Sequence, residues 1–248
     1  MAETEFQGQT AVVTGGANGL GFAIAKLLAE RGAKIALLDI DKDKLRQAKE
    51  RLTQLGAEAS TYEADVTDEA SIQRARDAVL KDHGNVQVLM NNAGIYPHAS
   101  LREITVEAWH RMFDVNTLSM LLVSRAFMDN MIAQKYGRMV TIVSEDAFIP
   151  KPTIAHYGAS KTALLPLIKT FALELAPHQI LVNGVAPGPI ATERAKGQSW
   201  LAEHTKQIPL GRAAEPEDIA EIAAFLGSKR NRFVVGETVI ASGGRYMF

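Results

Sequence analysis

The sequence predicts an α/β domain in which a doubly wound parallel sheet of seven strands lies between two layers of helices. Short, continuous apolar runs alternate with longer segments whose apolar residues recur at helical spacing. Uninterrupted apolar runs are typical of strands covered on both faces, as in parallel sheets. No linker or break in composition divides the 248 residues, so we expect a single domain over residues 1–248.

Strands and helices alternate along the chain. The apolar runs predict strands over residues 10–16, 34–40, 59–66, 86–92, 138–144, 180–188 and 237–242. The periodic segments predict helices over residues 20–33, 41–56, 68–83, about 105–134, about 157–176 and 215–227. Gly32 and Gly56 end the first two helices, and Asp41 is a candidate cap of the second. Pro166 demands a local kink or a displaced hydrogen bond in the fifth helix. Residues 189–215 have a weak, loop-like pattern, which predicts a substrate lid.

Composition and charge argue against several classes of function. A net charge of −1 gives no basic field for nucleic acid or an anionic membrane. The sequence has no cysteines, which removes disulfides and cysteine-bound metals, and its six histidines lack metal-ligand spacing. No apolar run approaches the roughly 18 residues of a membrane span, and the first residues do not resemble a signal peptide. We therefore expect a cytoplasmic enzyme or binding protein without a metal.

A glycine-rich turn, TGGANGLG at residues 14–21, joins the first predicted strand to the first helix. Gly15, Gly19 and Gly21 would let the backbone approach a pyrophosphate, and the helix N-terminus would supply amide groups and partial positive charge. This context predicts a Rossmann-type dinucleotide site. The alternative is a tight turn that needs glycine for its conformation alone.

Asp39, at the end of the second strand, points to the kind of dinucleotide. Its carboxylate can accept hydrogen bonds from the ribose hydroxyls and would repel a 2′-phosphate, so the expected cofactor is NAD rather than NADP. Asp39 could instead cap the next helix, although Asp41 is better placed for that role. Lys42 and Lys44 are close enough to leave NADP open.

Tyr157 and Lys161 form a candidate acid/base pair. Spacing of four places both side chains on one face of a helix. The reference pKa of tyrosine, about 10, is too high for an efficient base near neutral pH, and a nearby ammonium is expected to lower it. Ser144 ends a strand thirteen residues before Tyr157, so its hydroxyl could hold the substrate oxygen. On its own, the tyrosine–lysine pair is also compatible with ordinary helix surface.

Several motifs together resemble the short-chain dehydrogenase/reductase family, in its classical subgroup of roughly 250 residues. They are the spacing of the glycine turn, NNAG at 91–94, Asn116, Ser144, Tyr157 with Lys161, and PGPIAT at 187–192. The resemblance implies catalysis by Asn116, Ser144, Tyr157 and Lys161, with Asn116 holding a water that relays protons from the lysine. It gives Asn91 a structural role at the centre of the sheet.

The resemblance also implies positions that bind the dinucleotide. These are Gly15, Asn18, Gly19, Leu20, Gly21, Asp39, Asp65, Val66, Asn92, Gly94, Tyr157, Lys161, Ile190 and Thr192. The expected substrate pocket joins apolar, aromatic and polar side chains, namely Ile95, Tyr96, Ser144, Glu145, Asp146, Phe148, Ile149 and Trp200. His98 is expected near the pocket mouth, whereas His156 should point elsewhere.

Two departures from the family pattern stand out. Glu145 and Asp146 occupy positions where the family favours small or apolar residues. They could bond a hydroxyl-rich or cationic substrate, or they could be a solvent-facing or helix-capping pair. Ser242, in ASGG, replaces an acid that is common in the family, which affects a structural detail only.

The leading functional hypothesis is an NAD-dependent dehydrogenase that acts on a secondary alcohol or a sugar or cyclic hydroxyl. The alternatives are a carbonyl reductase of the 3-oxoacyl-carrier-protein type and a catalytically silent NAD-binding regulator. Regulators of that kind usually lack the tyrosine or the lysine, and both are present here. The expected partner is a small-molecule substrate, and the resemblance implies a homotetramer assembled through the two long helices.

Overall fold

Seven parallel strands form one sheet in the computed structural model, which describes residues 4–247. The order across the sheet is β3-β2-β1-β4-β5-β6-β7. The strands are β1 Thr10–Thr14, β2 Lys34–Asp39, β3 Ala59–Glu63, β4 Val88–Asn91, β5 Gly137–Ile142, β6 Ile180–Pro187 and β7 Thr238–Ala241. The chain builds outward from β1 to β3 and then returns to the other side of β1 with β4. That reversal lies between β1 and β4, where open α/β sheets bind ligands at the carboxyl ends of their strands.

Helices cover both faces of this sheet, as the sequence predicts. They are α1 Gly19–Glu30, α2 Lys42–Gln54, α3 Glu69–His83, α4 Val106–Phe113, α5 Ser119–Gln134, α6 Ala155–Thr162, α7 Leu164–Leu175, α8 Ser199–Thr205 and α9 Pro216–Gly227. One apolar core joins α1, α2 and α9 to one face, and a second joins α3, α5 and α7 to the other. Val12 and Val13 are adjacent in β1 and both fully buried, one in each core. This explains why the strands read as continuous apolar runs.

The predicted helix ends are confirmed where their chemistry is local. The Asp41 carboxylate accepts a hydrogen bond from the Lys44 amide at 3.0 Å and caps α2. Gly32 and Gly56 follow α1 and α2 with positive φ angles of 93° and 78°, a region that glycine enters without a steric penalty. Pro216 occupies the first turn of α9.

The two long predicted helices are both interrupted. A π-helical turn at Asp114–Leu118 separates α4 from α5, and it contains Asn116. Ala163 separates α6 from α7, because Pro166 has no amide hydrogen to donate to the Thr162 carbonyl four residues earlier. The local disturbance expected from Pro166 is therefore found as an interruption of the helix, whereas the sequence gives no sign of the π turn.

The weakly patterned stretch 189–215 is more regular than its sequence suggests. It contains the short helix α8, whose Leu201 is buried, and an isolated parallel bridge between Ile190 and Ala214. The segment therefore has an internal framework and runs along the carboxyl edge of the sheet. Among residues 4–247, no helix combines the length and the apolar character that crossing a bilayer would require.

Candidate active site

A cavity of about 680 Å³ opens at the carboxyl ends of the strands, around the point where the strand order reverses. Every position that the family resemblance assigns to the dinucleotide lies on its wall, from Gly15 in the first turn to Thr192 in the segment after β6. The structure thus brings together residues that are up to 177 positions apart, because parallel strands present their carboxyl ends at one edge.

The glycine turn is packed most closely at Gly21, where a side chain would not fit. A Cβ atom on Gly21 would lie 2.1 Å from the Gly15 carbonyl oxygen and 2.5 Å from the Asn92 side-chain nitrogen. Asn92 in turn donates hydrogen bonds to the carbonyl oxygens of Thr14 and Gly15, at 3.0 and 3.2 Å. Gly15 and Gly19 have positive φ angles of 61° and 54°. The result is an open cradle of backbone at the N-terminus of α1, which suits a pyrophosphate.

Asp39 lies at the outer end of this cradle. Its carboxylate accepts hydrogen bonds from the Ala17 amide at 3.2 Å and from the Asp41 amide at 3.1 Å, so its position is fixed. The Lys44 ammonium is paired with Asp41 at 2.6 Å. The nearest lysine that could favour a 2′-phosphate is therefore already engaged with a carboxylate.

Ser144, Tyr157 and Lys161 meet at the other end of the cavity. The Ser144 and Tyr157 side chains both line the cavity, and the Ser144 hydroxyl acts to lower the pKa of Tyr157. Lys161 is buried, and its ammonium donates to the Ile142 carbonyl oxygen at 2.8 Å and lies 6.0 Å from the centre of the Tyr157 ring. Tyr96 packs edge-on against Tyr157 with 6.3 Å between ring centres. The predicted acid/base pair thus faces the cavity, beside the hydroxyl expected to hold the substrate oxygen.

The pKa values of this pair differ from the expectation. Burial raises the pKa of Tyr157, the carboxylates of Asp146 and Glu145 raise it further, and only the Ser144 hydroxyl opposes them. Burial also lowers the pKa of Lys161 to about 8. The predicted lowering of the Tyr157 pKa by the lysine is therefore wrong for this arrangement, because desolvation and nearby negative charge outweigh a cation that is itself bonded to Ile142.

Asn116 stands behind this pair rather than on the wall of the main cavity. Its side chain accepts from the Ile95 amide at 2.8 Å and donates to the Ile95 carbonyl at 2.9 Å and to the Ser160 hydroxyl at 3.0 Å. A second cavity of about 10 Å³ lies between Asn116 and Lys161. Buried oxygens of Asn91 and Thr141 without a protein partner belong to residues on its wall. The space and its polar lining suit about one water molecule.

The acidic pair is neither solvent-facing nor a conventional helix cap. Glu145 is only 1% exposed, and its carboxylate pairs with the Lys151 ammonium at 2.9 Å and with the Arg245 guanidinium. Asp146 also pairs with Lys151 and accepts a hydrogen bond from the Ser144 hydroxyl at 3.3 Å. The cap of this turn is Ser144 itself, which accepts from the Asp146 amide at 3.1 Å.

Lys151 and Arg245 were not among the predicted site residues. Lys151 lies in a loop without periodicity, and Arg245 is 100 residues from its partner Glu145. Arg194 and His204 also line the cavity without having been predicted. The sequence signals these cations only through Glu145 and Asp146, two acidic residues that follow a strand. Carboxylates that become buried need cations nearby.

The remaining pocket predictions are partly correct. Ile95, Tyr96, Ser144, Glu145, Asp146 and Trp200 line the cavity, and so does His98. Phe148 and Ile149 are not on its wall, so the expectation that they contact substrate is wrong. Phe148 instead stacks on Tyr246, with 5.6 Å between ring centres. His156 is buried away from the cavity, as expected.

The part of the segment 189–215 that covers the cavity is aromatic and cationic. The Trp200 ring meets His204 edge-on at 5.7 Å. The exposed Arg194 places its guanidinium 5.0 Å from the centre of the Tyr96 ring. Thr192 lies beside the glycine cradle, because a Cβ atom on Gly19 would come within 3.9 Å of its methyl carbon. This segment thus spans both ends of the cavity.

Comparisons with known proteins agree with this geometry. A family model described as enoyl-(acyl carrier protein) reductase matches residues 15–245. The 5-keto-D-gluconate 5-reductase of Escherichia coli K12 is 35% identical over 241 residues, covering 96% of this chain and 95% of that relative. The 3-oxoacyl-(acyl-carrier-protein) reductase of the same strain is 35% identical over 244 residues, covering 98% and 99%.

Solved structures show the same relationship. A short-chain type dehydrogenase/reductase from Mycobacterium marinum superimposes with a TM-score of 0.93 at 30% identity, covering 97% of this chain and 96% of that one. The family model, the relatives and the shared fold lead to one conclusion. The chain belongs to the short-chain dehydrogenase/reductase family of oxidoreductases.

Proposed function

We propose that the protein is an NAD-dependent dehydrogenase that interconverts a secondary alcohol, or a sugar or cyclic hydroxyl, with the corresponding ketone. One observation carries the proposal. A single cavity joins the glycine cradle and Asp39 at one end to Ser144 and Tyr157 at the other. A dinucleotide that lies along this cavity would bring its reactive ring to the catalytic hydroxyl groups.

The residues present fit the cofactor. Gly15 and Gly21 leave the cradle free of side chains. A Cβ atom at either position would come too close to backbone or to the Asn92 side chain. Gly94 likewise presents no side chain at the other end of the cavity, and a Cβ atom there would lie 3.2 Å from the Asn116 side-chain oxygen. The Asp39 carboxylate would accept hydrogen bonds from the ribose and disfavour a 2′-phosphate. Lys161 would hold the ribose next to the nicotinamide. When bound, the nicotinamide accepts or donates the hydride.

The remaining chemistry falls to side chains of this protein. The Ser144 hydroxyl would bind the substrate oxygen and Tyr157 would move its proton, since both side chains line the same cavity. Burial raises the Tyr157 pKa, so the phenol remains protonated near neutral pH. The protonated phenol is the form that can give a proton to the oxygen of a ketone. Lys161 and Asn116, on either side of the small polar cavity, would return that proton from solvent.

The test is the change in nicotinamide absorbance with NAD or NADP and a panel of secondary alcohols and ketones. We expect turnover that prefers NAD, and loss of turnover in Tyr157→Phe with NAD binding close to normal. Activity confined to 3-oxoacyl thioesters with NADPH would instead favour the carrier-protein reductase, the activity named for one relative. Tight NAD binding without turnover of any alcohol or ketone would favour a silent regulator.

We further propose a cytoplasmic homotetramer that assembles through α4, α5 and α7. Val106, Trp109, Leu118 and Leu173 on these helices or their junction are exposed, and exposed apolar clusters commonly mark protein interfaces. Light scattering of the purified protein tests the state. A monomeric mass at micromolar concentration would contradict this part of the proposal.

A further inference from the structure

Asp146 lies where a second substrate group would be. Its carboxylate oxygen Oδ2 accepts from the Ser144 hydroxyl at 3.3 Å, and its side chain is on the cavity wall. If Ser144 holds the reacting oxygen, as the proposed function requires, a substituent on the adjacent carbon comes next to Asp146. Lys151 shares this wall and is paired with Asp146.

We propose that Asp146 and Lys151 bind a hydroxyl group on the carbon next to the reacting one. The substrate would then be a vicinal diol or, in the reverse direction, an α-hydroxy ketone, as in sugars, polyols and sugar acids. This inference rests on the proposed function and adds the class of substrate. Asp146 would accept the hydroxyl proton, and Lys151 would donate to the hydroxyl oxygen.

The charges around the pair favour a neutral hydroxyl over a cation. The carboxylates of Glu145 and Asp146 face the cations of Lys151 and Arg245, so the four formal charges cancel. A cationic substrate would gain nothing from a neutral cluster and would meet Lys151. A hydroxyl group both donates and accepts, so it can bond a carboxylate and an ammonium at once.

Lys151 has a donor to spare. An ammonium has three N–H groups, and Lys151 directs them to two carboxylate partners, Glu145 and Asp146. The lysine side chain is 14% exposed and lies on the cavity wall. The third N–H can therefore turn to the cavity without breaking either ion pair.

Glu145 holds these groups in place without touching the substrate itself. Its oxygen Oε2 is fully buried and faces Gly188, where a Cβ atom would come within 3.1 Å. Its other oxygen pairs with Lys151 and Arg245, and Arg245 donates to the Gln207 side chain at 2.7 Å. Glu145 is thus a positioning residue that connects the diol-binding pair to the segment 189–215.

His204 adds a further polar group to the cavity wall near this cluster. Burial lowers the pKa of His204, and the nearby cations of Arg245 and Lys151 lower it further, so the ring is neutral near neutral pH. A neutral imidazole donates from one nitrogen and accepts at the other, which suits further hydroxyl groups. A long acyl chain would remove water from these polar groups without offering them hydrogen bonds, at a cost in binding.

Three alcohols of nearly equal size test the inference. Butan-2-ol, propane-1,2-diol and 1-aminopropan-2-ol differ only in the group carried by the carbon next to the reacting one. That group is methyl, hydroxyl or ammonium, respectively. With NAD, we expect kcat/KM for the diol to exceed that for butan-2-ol by at least about tenfold, as a hydrogen bond to a charged group allows. The amino alcohol should show no such advantage. The second hydroxyl group of the diol withdraws electrons and slows the loss of hydride from the reacting carbon. A preference for the diol must therefore come from binding.

Variants assign the preference to named residues. In Asp146→Ala and Lys151→Met, we expect kcat/KM to fall at least about tenfold more for the diol than for butan-2-ol. Lys49→Met, an exposed lysine on α2, is the matched control and should leave the ratio unchanged. Thermal unfolding of each variant shows whether it is folded.

Several results would overturn the inference. If kcat/KM in Asp146→Ala fell equally for the diol and for butan-2-ol, Asp146 would serve only to hold Ser144 in place. A wild-type preference for butan-2-ol or for the amino alcohol would exclude recognition of the diol. Turnover of butan-2-ol without preference for the diol would contradict only this inference. If no alcohol or ketone reacted with either cofactor, the proposed function would fail as well.

Discussion

Arg245 forms a buried ion pair with Glu145, 100 residues earlier, and so fastens the C-terminal segment to the turn that carries Ser144. Both side chains are almost fully buried, at 8% and 2% exposed. Glu145 would lose its strongest partner if the arginine were removed, because Lys151 is shared with Asp146. The pair therefore couples the position of the segment around Arg245 to the geometry of Ser144, the proposed catalytic serine.

Replacing Arg245 with Met is expected to destabilise the protein by about 2 kcal/mol, because it leaves the buried Glu145 carboxylate with only half of its compensating charge. Urea unfolding measures the loss. The double variant Arg245→Met/Glu145→Gln should recover part of it, since the uncompensated charge is gone. Arg212→Met breaks an exposed pair with Asp218 and should cost less than about 1 kcal/mol. Equal losses for Arg245→Met and Arg212→Met would refute the role assigned to burial.

Replacing Asp39 with Ala is expected to reduce the preference for NAD over NADP by about tenfold or more, since a charge-assisted hydrogen bond to the ribose and the repulsion of a 2′-phosphate are both lost. The measurement is kcat/KM for each cofactor at a fixed substrate concentration. Asp43→Ala removes an aspartate of α2 that is 84% exposed in its side chain, and it serves as the control. An unchanged ratio in Asp39→Ala would disprove the cofactor assignment.

The activity should depend on pH differently in the two directions. Burial raises the pKa of Tyr157, so the phenol remains protonated at neutral pH. Ketone reduction uses the phenol and should be nearly constant between about pH 6 and 8, whereas alcohol oxidation uses the phenolate. Below the Tyr157 pKa, the phenolate fraction grows about tenfold per pH unit. The kcat for alcohol oxidation should therefore rise by up to about tenfold for each pH unit. Oxidation that levels off below about pH 7 would show that bound substrate and cofactor reverse the shift.

Gly21→Ala should be among the most damaging single changes in the glycine turn. The added Cβ atom would lie 2.1 Å from the Gly15 carbonyl oxygen, so the turn must move. We expect a loss of about 2 kcal/mol or more in stability, together with weaker NAD binding. Gly19→Ala adds a Cβ with room around it and suffers only from its φ angle of 54°, so it should cost about 1 kcal/mol. Equal unfolding free energies for the two variants would show that close packing is not the reason for glycine at position 21.

Sequence patterns predict this protein best where the chemistry is local. Continuous apolar strands, the Asp41 cap and the break near Pro166 each depend on a few neighbouring residues, and all are found in the structure. The spacing from Ser144 to Tyr157 and Lys161 likewise places the three side chains at one end of one cavity.

What the sequence does not reveal depends on tertiary contacts. Periodicity contains nothing about Arg245 reaching Glu145, and it could not show that Phe148 turns from the cavity to stack on Tyr246. Burial and the carboxylates of Asp146 and Glu145 together raise the Tyr157 pKa, and only the three-dimensional arrangement shows that these carboxylates lie nearby.

The π turn at Asp114–Leu118 has a consequence for the rotational phase of the helices on either side of it. A π turn contains one residue more than an α turn, and one residue corresponds to about 100° around a helix. The wide turn absorbs its extra residue within one turn, so Phe127 and its buried neighbours on α5 still face the sheet. Deleting that residue would therefore restore a regular helix and leave α5 in register with the core, but it would change the part of the turn from which Asn116 reaches Ile95.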